Sequence, residues 1–224
     1  MELSPHGHER RMRRPLRCLP HAGGERGVCQ RYRLYPELPI LLTDRRTAYT
    51  PSAKVLHWVI AALVASQFVV AWFMPHIGRN AKAEGLISLH FSLGVLILLL
   101  MTARWIYRLR YPVALEMPDS PIWERWAAHW MHITIYFILL VSPWLGWASA
   151  SAHNLPVKLF GIPLPDLAAP KTPWAQTAGD IHTWSMWALL ALVLLHAAAA
   201  LYHHFVRGDA VLRRMLPDGT TRGR

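Results

Sequence analysis

Four apolar runs separated by polar stretches set the pattern of this chain. They cover residues 52–74, 85–107, 126–149 and 180–205. Each approaches the ~20 apolar residues that one helix needs to cross a bilayer. Trp and Tyr gather near the ends of the runs, where amphipathic rings sit at the membrane interface. Pro143 lies inside the third run and predicts a kink that neighbouring helices tolerate. The pattern predicts an all-α fold, an integral membrane four-helix bundle.

Histidines interrupt all four of these runs. His182 and His196 lie on the fourth, fourteen residues apart. At ~1.5 Å rise and ~3.6 residues per turn they share one helix face, roughly 21 Å apart in depth. An imidazole inside a membrane helix is costly without a partner, so it marks a functional position. Two on one face suggest two stacked metal centres.

Lys and Arg give the orientation. Arg45, Arg46 and Lys54 flank the first run; Arg104, Arg108, Arg110 and Arg125 lie between the second and third; Arg207, Arg213 and Arg214 follow the fourth. The positive-inside rule then places both termini in the cytoplasm and the Pro-rich stretch 150–178 outside, as a loop over the outer face. With that orientation, His57 and His196 fall in a cytoplasmic-side layer, and His90 and His182 in an outer layer. Each pair suits one planar haem clamped between two helices, since His is a common axial ligand of haem iron.

The residues around the histidines leave several readings open. His129 and His132 lie at the depth of His57 and compete with it as ligand, or line a polar pocket beside it. His203 shares the face of His196 and would reach a quinone or proton path, whereas His204 is expected to be exposed at the interface. Gly94, Ala61 and Ala197 to Ala200 would let a macrocycle approach the backbone, or equally let helices pack. Arg104 lies fourteen residues after His90, at the cytoplasmic layer. It would pair with a haem propionate or polarise a quinone carbonyl, or simply snorkel to the interface.

Composition sharpens this picture. The chain is 53% hydrophobic and only 17% charged, yet its net charge is +11. Charge confined to loops and ends fits a membrane protein, with no nucleic-acid role expected. Residues 1–47 are rich in Arg, Pro and Gly and predict a disordered extension, or one lying along an anionic membrane surface. Arg13-Arg14 invites a twin-arginine reading, but no apolar segment with a cleavage site follows, so no cleaved signal peptide is expected. Cys18 and Cys29 suggest neither a zinc site nor a disulfide framework, and the lack of CxxCH excludes covalent haem attachment. The expected domain is 48–217, with a short tail at 218–224.

The strings LHW at 56–58, LHFSLG at 89–94, IHTW at 181–184, LHAAAALYHHF at 195–205 and LRRMLP at 212–217 resemble the prokaryotic cytochrome b561 family over about 49–217. The resemblance implies a four-helix bundle of the bacterial inner membrane with two non-covalent b-type haems, ligated at His57, His90, His182 and His196. In one branch, superoxide formed outside gives its electron to the outer haem, and ubiquinone is the final acceptor. The outer loops fit that branch modestly, with Arg79, Lys82, Lys158 and Lys171 against Glu84, Asp166 and Asp180. Related sequences serve instead as cytochrome subunits that relay electrons between a redox-protein donor, such as a dehydrogenase or hydrogenase, and quinone. The expected function is a superoxide:ubiquinone oxidoreductase, with the relay subunit as the alternative.

Overall fold

The computed structural model describes residues 49–77, 81–112 and 121–216. The chain divides into Met1–Thr43 and Asp44–Arg224, and every described residue belongs to the second unit. The 1–47 extension with its cysteines, Arg79 and the 218–224 tail lie outside the described residues.

Among the described residues there are four long helices: α1 Pro51–Phe73, α2 Gly85–Arg110, α3 Ile122–Ala152 and α4 Pro173–Phe205. All four are long and apolar enough to cross a membrane. A helix satisfies its own backbone polar groups, which lipid cannot do for it. The first two match the apolar runs closely. By contrast α4 starts seven residues before its run, because Pro173 suits the first helical turn, where its missing N–H costs nothing. With 33 residues, α4 is about 50 Å long and projects beyond a hydrocarbon layer of roughly 30 Å. Its first turns pack on the end of α3 through Ala148, Ala152 and Ala175. A Cβ added to Gly179 would lie 2.5 Å from Ser149 Oγ, so the two helices meet through small residues there. Helix α3 continues through Pro143 unbroken.

A core of Ile60, Val64, Ile97, Met101, Ile138, Leu139 and Leu189 joins the four helices. The backbone of α1 packs along α2, α2 against α3, and α3 along α4. Among the described residues α4 has no comparable approach to α1 or α2. Two seams therefore run along α4.

The start of α1 and the end of α4 lie at one end of the bundle, here the terminal end. Thr50 Oγ1 and Tyr107 OH are 2.7 Å apart, Arg207 Nη1 donates to Glu124 Oε2 at 2.6 Å, and Trp58 Nε1 donates to the Met215 carbonyl at 2.9 Å. A strap, residues 206–216, thus folds back beneath α1. Within it Asp209 accepts from His203 Nδ1 and from the Val211 N–H at 3.0 Å. Burial alone would raise the Asp209 carboxyl; the Val211 N–H and His203 outweigh it and hold it below its usual value. A depressed folded-state pKa adds stability that is present above the unfolded value of about 3.9 and is lost as pH falls through the folded one. Hydrogen exchange of the strap amides is therefore expected to accelerate only below that range, and Asp209→Asn to flatten the dependence.

At the opposite end, residues 153–172 form a cap that a short hairpin orders. Strands β1 (Lys158–Leu159) and β2 (Ile162–Pro163) pair antiparallel across Phe160 and Gly161, whose φ angles are 47° and 96°. Two positive φ values make the tight turn whose twist suits a hairpin. Leu155 and Val157 bury themselves against Val95 and Ala150. Ser92 of α2 clamps the hairpin: its Oγ donates to the Lys158 carbonyl at 2.9 Å, shared with Ser88, and accepts from the Phe160 N–H at 3.1 Å. Ser92→Ala strands these backbone groups and is expected to cost about 1–2 kcal/mol in detergent unfolding, with faster exchange at Phe160.

Candidate functional site

The two seams along α4 are where the histidines meet. His57 of α1 faces His196 across one, with ring centres 6.4 Å apart and planes at 82°. His90 of α2 faces His182 across the other, at 6.3 Å and 89°. Both pairs expected from depth are thus brought together. An imidazole nitrogen bonds a metal at about 2 Å with its ring centre roughly 1.1 Å behind, so two imidazoles on opposite sides of one ion have centres roughly 6.3 Å apart. The two cross-seam pairs fit that separation. His132 and His196, at 5.1 Å, are too close for it. Among the described residues no group of three or more His, Cys, Asp or Glu side chains is arranged to hold a metal ion. Two opposed ligands suit an ion whose remaining ligands come from a macrocycle, as in haem.

Packing orients the His182 ring. Its Nδ1 lies 2.8 Å from Ser142 Oγ and 2.9 Å from the Ser142 carbonyl. Ser185 Oγ donates to the His182 carbonyl at 2.7 Å, so the Ser142–Ser185 contact of 2.8 Å is made with Ser142 as donor. The Ser142 oxygens then accept, the proton sits on Nδ1, and Nε2 keeps its lone pair. An outer hydrogen bond of this kind sets tautomer and ring angle in metal-binding histidines. Gly146, one turn after Ser142, leaves room for the ring: a Cβ there would lie 3.0 Å from His182 Cε1. His90 is held differently. Its carbonyl accepts from Gln67 Nε2 at 2.9 Å, while its buried Nδ1 has no partner.

The remaining candidates separate. His132 donates from Nδ1 to the Ala128 carbonyl at 2.6 Å and lies beside His196. His129 is exposed between Trp126 and Trp130. His203 is engaged by Asp209. His204 is half-buried with Nδ1 enclosed and unpartnered, not exposed as expected, because the strap folds back at this end of α4. Arg104 reaches across to α1 and donates to the Ala53 carbonyl at 2.8 Å, one turn before His57. Gly94 faces Gln67, which an added Cβ would meet at an ordinary 3.5 Å. Ala61, Ala199 and Ala200 are half-buried, Ala197 and Ala198 exposed. Sequence reasoning passed over Ser142, Ser185, Gly146 and Gln67. Only their one-turn spacings along the helices, Ser142 to Gly146 and His182 to Ser185, hinted at them.

Comparison with known proteins identifies a family. A family model described as prokaryotic cytochrome b561 matches residues 48–218. The chain is 28% identical over 179 residues to cytochrome b561 homolog 2 of Escherichia coli (strain K12), covering 78% of this chain and 94% of that protein. It is 30% identical over 165 residues to a Yersinia pestis protein named probable superoxide oxidase CybB, covering 72% and 92%. With four membrane-spanning helices, the chain belongs to the prokaryotic cytochrome b561 family, multi-pass bacterial membrane proteins that bind haem b and transfer electrons.

Proposed function

We propose that this protein is a di-haem superoxide:ubiquinone oxidoreductase of the inner membrane. The observation that carries the reading is the pair of cross-seam histidine couples, both at metal-clamping separation, at two depths along α4. His90 and His182 would hold one haem b non-covalently, His57 and His196 a second. Bound haem would supply reversible one-electron transfer. The protein's part is to fix the ring angle of His182 through Ser142 and to keep the two pairs stacked.

The positive-inside rule puts the terminal end in the cytoplasm and the hairpin end outside. Two superoxide anions each lose one electron and leave as O2; one ubiquinone takes both electrons and two protons and leaves as ubiquinol. Lys82 and Lys171, both exposed at the hairpin end, favour capture of a small anion. The similarity to the Yersinia pestis protein supports the same donor.

The test is a visible difference spectrum of the purified, oxidised protein on adding superoxide, then ubiquinone in the same cuvette. Rapid b-type reduction reversed by ubiquinone is expected. Reduction by dithionite but not by superoxide would overturn the superoxide step and make the chain a relay subunit with a protein donor.

A further inference from the structure

Gln67 stands ten residues after His57 on α1, about 15 Å further toward the hairpin end. There it meets α2: its Nε2 donates to the His90 carbonyl at 2.9 Å. The other half of the amide, Oε1, is buried and has no partner, and neither has the buried Nδ1 of His90. Gly94, one turn beyond His90, borders the same amide, where an added Cβ would meet Nε2 at 3.5 Å. Two enclosed polar atoms without partners thus belong to two residues that are already bonded to each other.

Their chemistry is complementary. For His90 to face an ion across the seam from His182, its Nε2 must keep the lone pair, and the ring proton then sits on Nδ1 as a donor. An amide oxygen is an acceptor. Buried donors and acceptors are costly to leave unmade, and one hydrogen bond, direct or through a single water, satisfies both. His182 meets the same need through Ser142. Among the described residues the His57 and His196 rings make ring contacts but no hydrogen bond. A histidine that gives its outer proton to an oxygen becomes a more basic ligand, which favours the oxidised, more positive state of a bound ion.

We infer that Gln67 is a positioning residue for the outer pair: its amide oxygen accepts a hydrogen bond from His90 Nδ1, directly or through one water, and so lowers the reduction potential of the group held there. The inference rests on the reading of the two pairs as haem ligands. With Ser142 acting on His182, both ligands of the outer pair are strengthened and neither of the inner pair. That asymmetry favours electron flow from the hairpin end to the terminal end.

The experiment uses the full, haem-loaded chain in nanodiscs and a spectroelectrochemical titration that resolves both midpoints. The outer couple is the one that His182→Ala removes. Gln67→Leu and Gln67→Glu both lose the Nε2 donor, but only Glu keeps an acceptor oxygen at the same reach. Gln67→Leu is expected to raise the outer midpoint by about tenfold in the ratio of reduced to oxidised haem, about 59 mV for a one-electron couple. The inner midpoint should stay in place. Gln67→Glu should leave the outer midpoint at or below its wild-type value. Should haem loading fall in Gln67→Leu, the unbranched Gln67→Met replaces it with the same expectation. A packing role alone would move Leu and Glu alike, and equal upward shifts in both would overturn the inference. Unmoved midpoints in a protein that still holds two haems would overturn it too, leaving the ligand reading standing. A wild-type chain that binds no haem at the outer pair would overturn the ligand reading and the inference with it.

Discussion

If the chain holds two haems as proposed, His182→Ala is expected to lower the haem content from about two per chain to about one, and to abolish rapid reduction by superoxide. The substitution removes one of two opposed imidazoles and leaves His90 facing an open seam with its Nδ1 already unpartnered. The His57–His196 pair lies about 21 Å along α4 and touches none of the His182 contacts. It should keep its cofactor and still reduce with dithionite. Pyridine haemochrome per chain and a potentiometric titration read the outcome, the titration collapsing to a single midpoint. His196→Ala is the mirror experiment, retaining the other midpoint. If His182→Ala kept the full haem complement, the ligand assignment would be wrong.

Gly146→Val should be nearly as damaging, although it deletes no functional group. The first carbon it adds would lie 3.0 Å from Cε1, 3.1 Å from Nδ1 and 3.4 Å from Cγ of His182. The branching methyls add further crowding, so the ring must swing and its bonds to Ser142 must lengthen. Overpacking of this kind costs about 1–3 kcal/mol. Loss of the orienting hydrogen bonds weakens metal binding by roughly 10–100-fold. Haem transfer to apomyoglobin should accelerate for one haem of the two, and the low-spin electron paramagnetic resonance signal of that haem should shift. Gly146→Ala should fall between, because a small shift of the ring relieves one methyl. Wild-type transfer rates and an unshifted signal in Gly146→Val would show that the close contact at residue 146 does not govern the site.

Much of the fold was legible because membrane helices announce themselves by length and apolarity alone. The cross-seam histidine pairs were legible for a related reason: topology fixes which residues share a depth, and depth is nearly linear in sequence along a helix. What depth cannot supply is azimuth. It left His57, His129 and His132 as rivals, and only packing turned His129 outward and brought His57 opposite His196. The hairpin over residues 158–163 was hidden because its turn uses Phe160 at positive φ, a conformation that a bulky residue rarely signals. Arg104 was placed at the right depth, yet its bond to the Ala53 carbonyl depends on where the first turn of α1 stands. Ser142 and Gly146 read in sequence as ordinary small residues of a packed span. Their role appears only once α4 is laid against α3.

The seams along α4 also bear on biogenesis. Helices α1 and α2 pair with each other, and α3 pairs with α4, so each hairpin can leave the insertion machinery already matched. On the proposed reading, what clasps α4 to α1 and α2 is a ligand delivered afterwards, and binding energy at the seams becomes folding energy. Haem supply would then act as a quality-control checkpoint. In a starved cell the chain would wait in the membrane with α4 loosely held and open to quality-control proteases, so that its abundance would follow the haem pool rather than its own rate of synthesis.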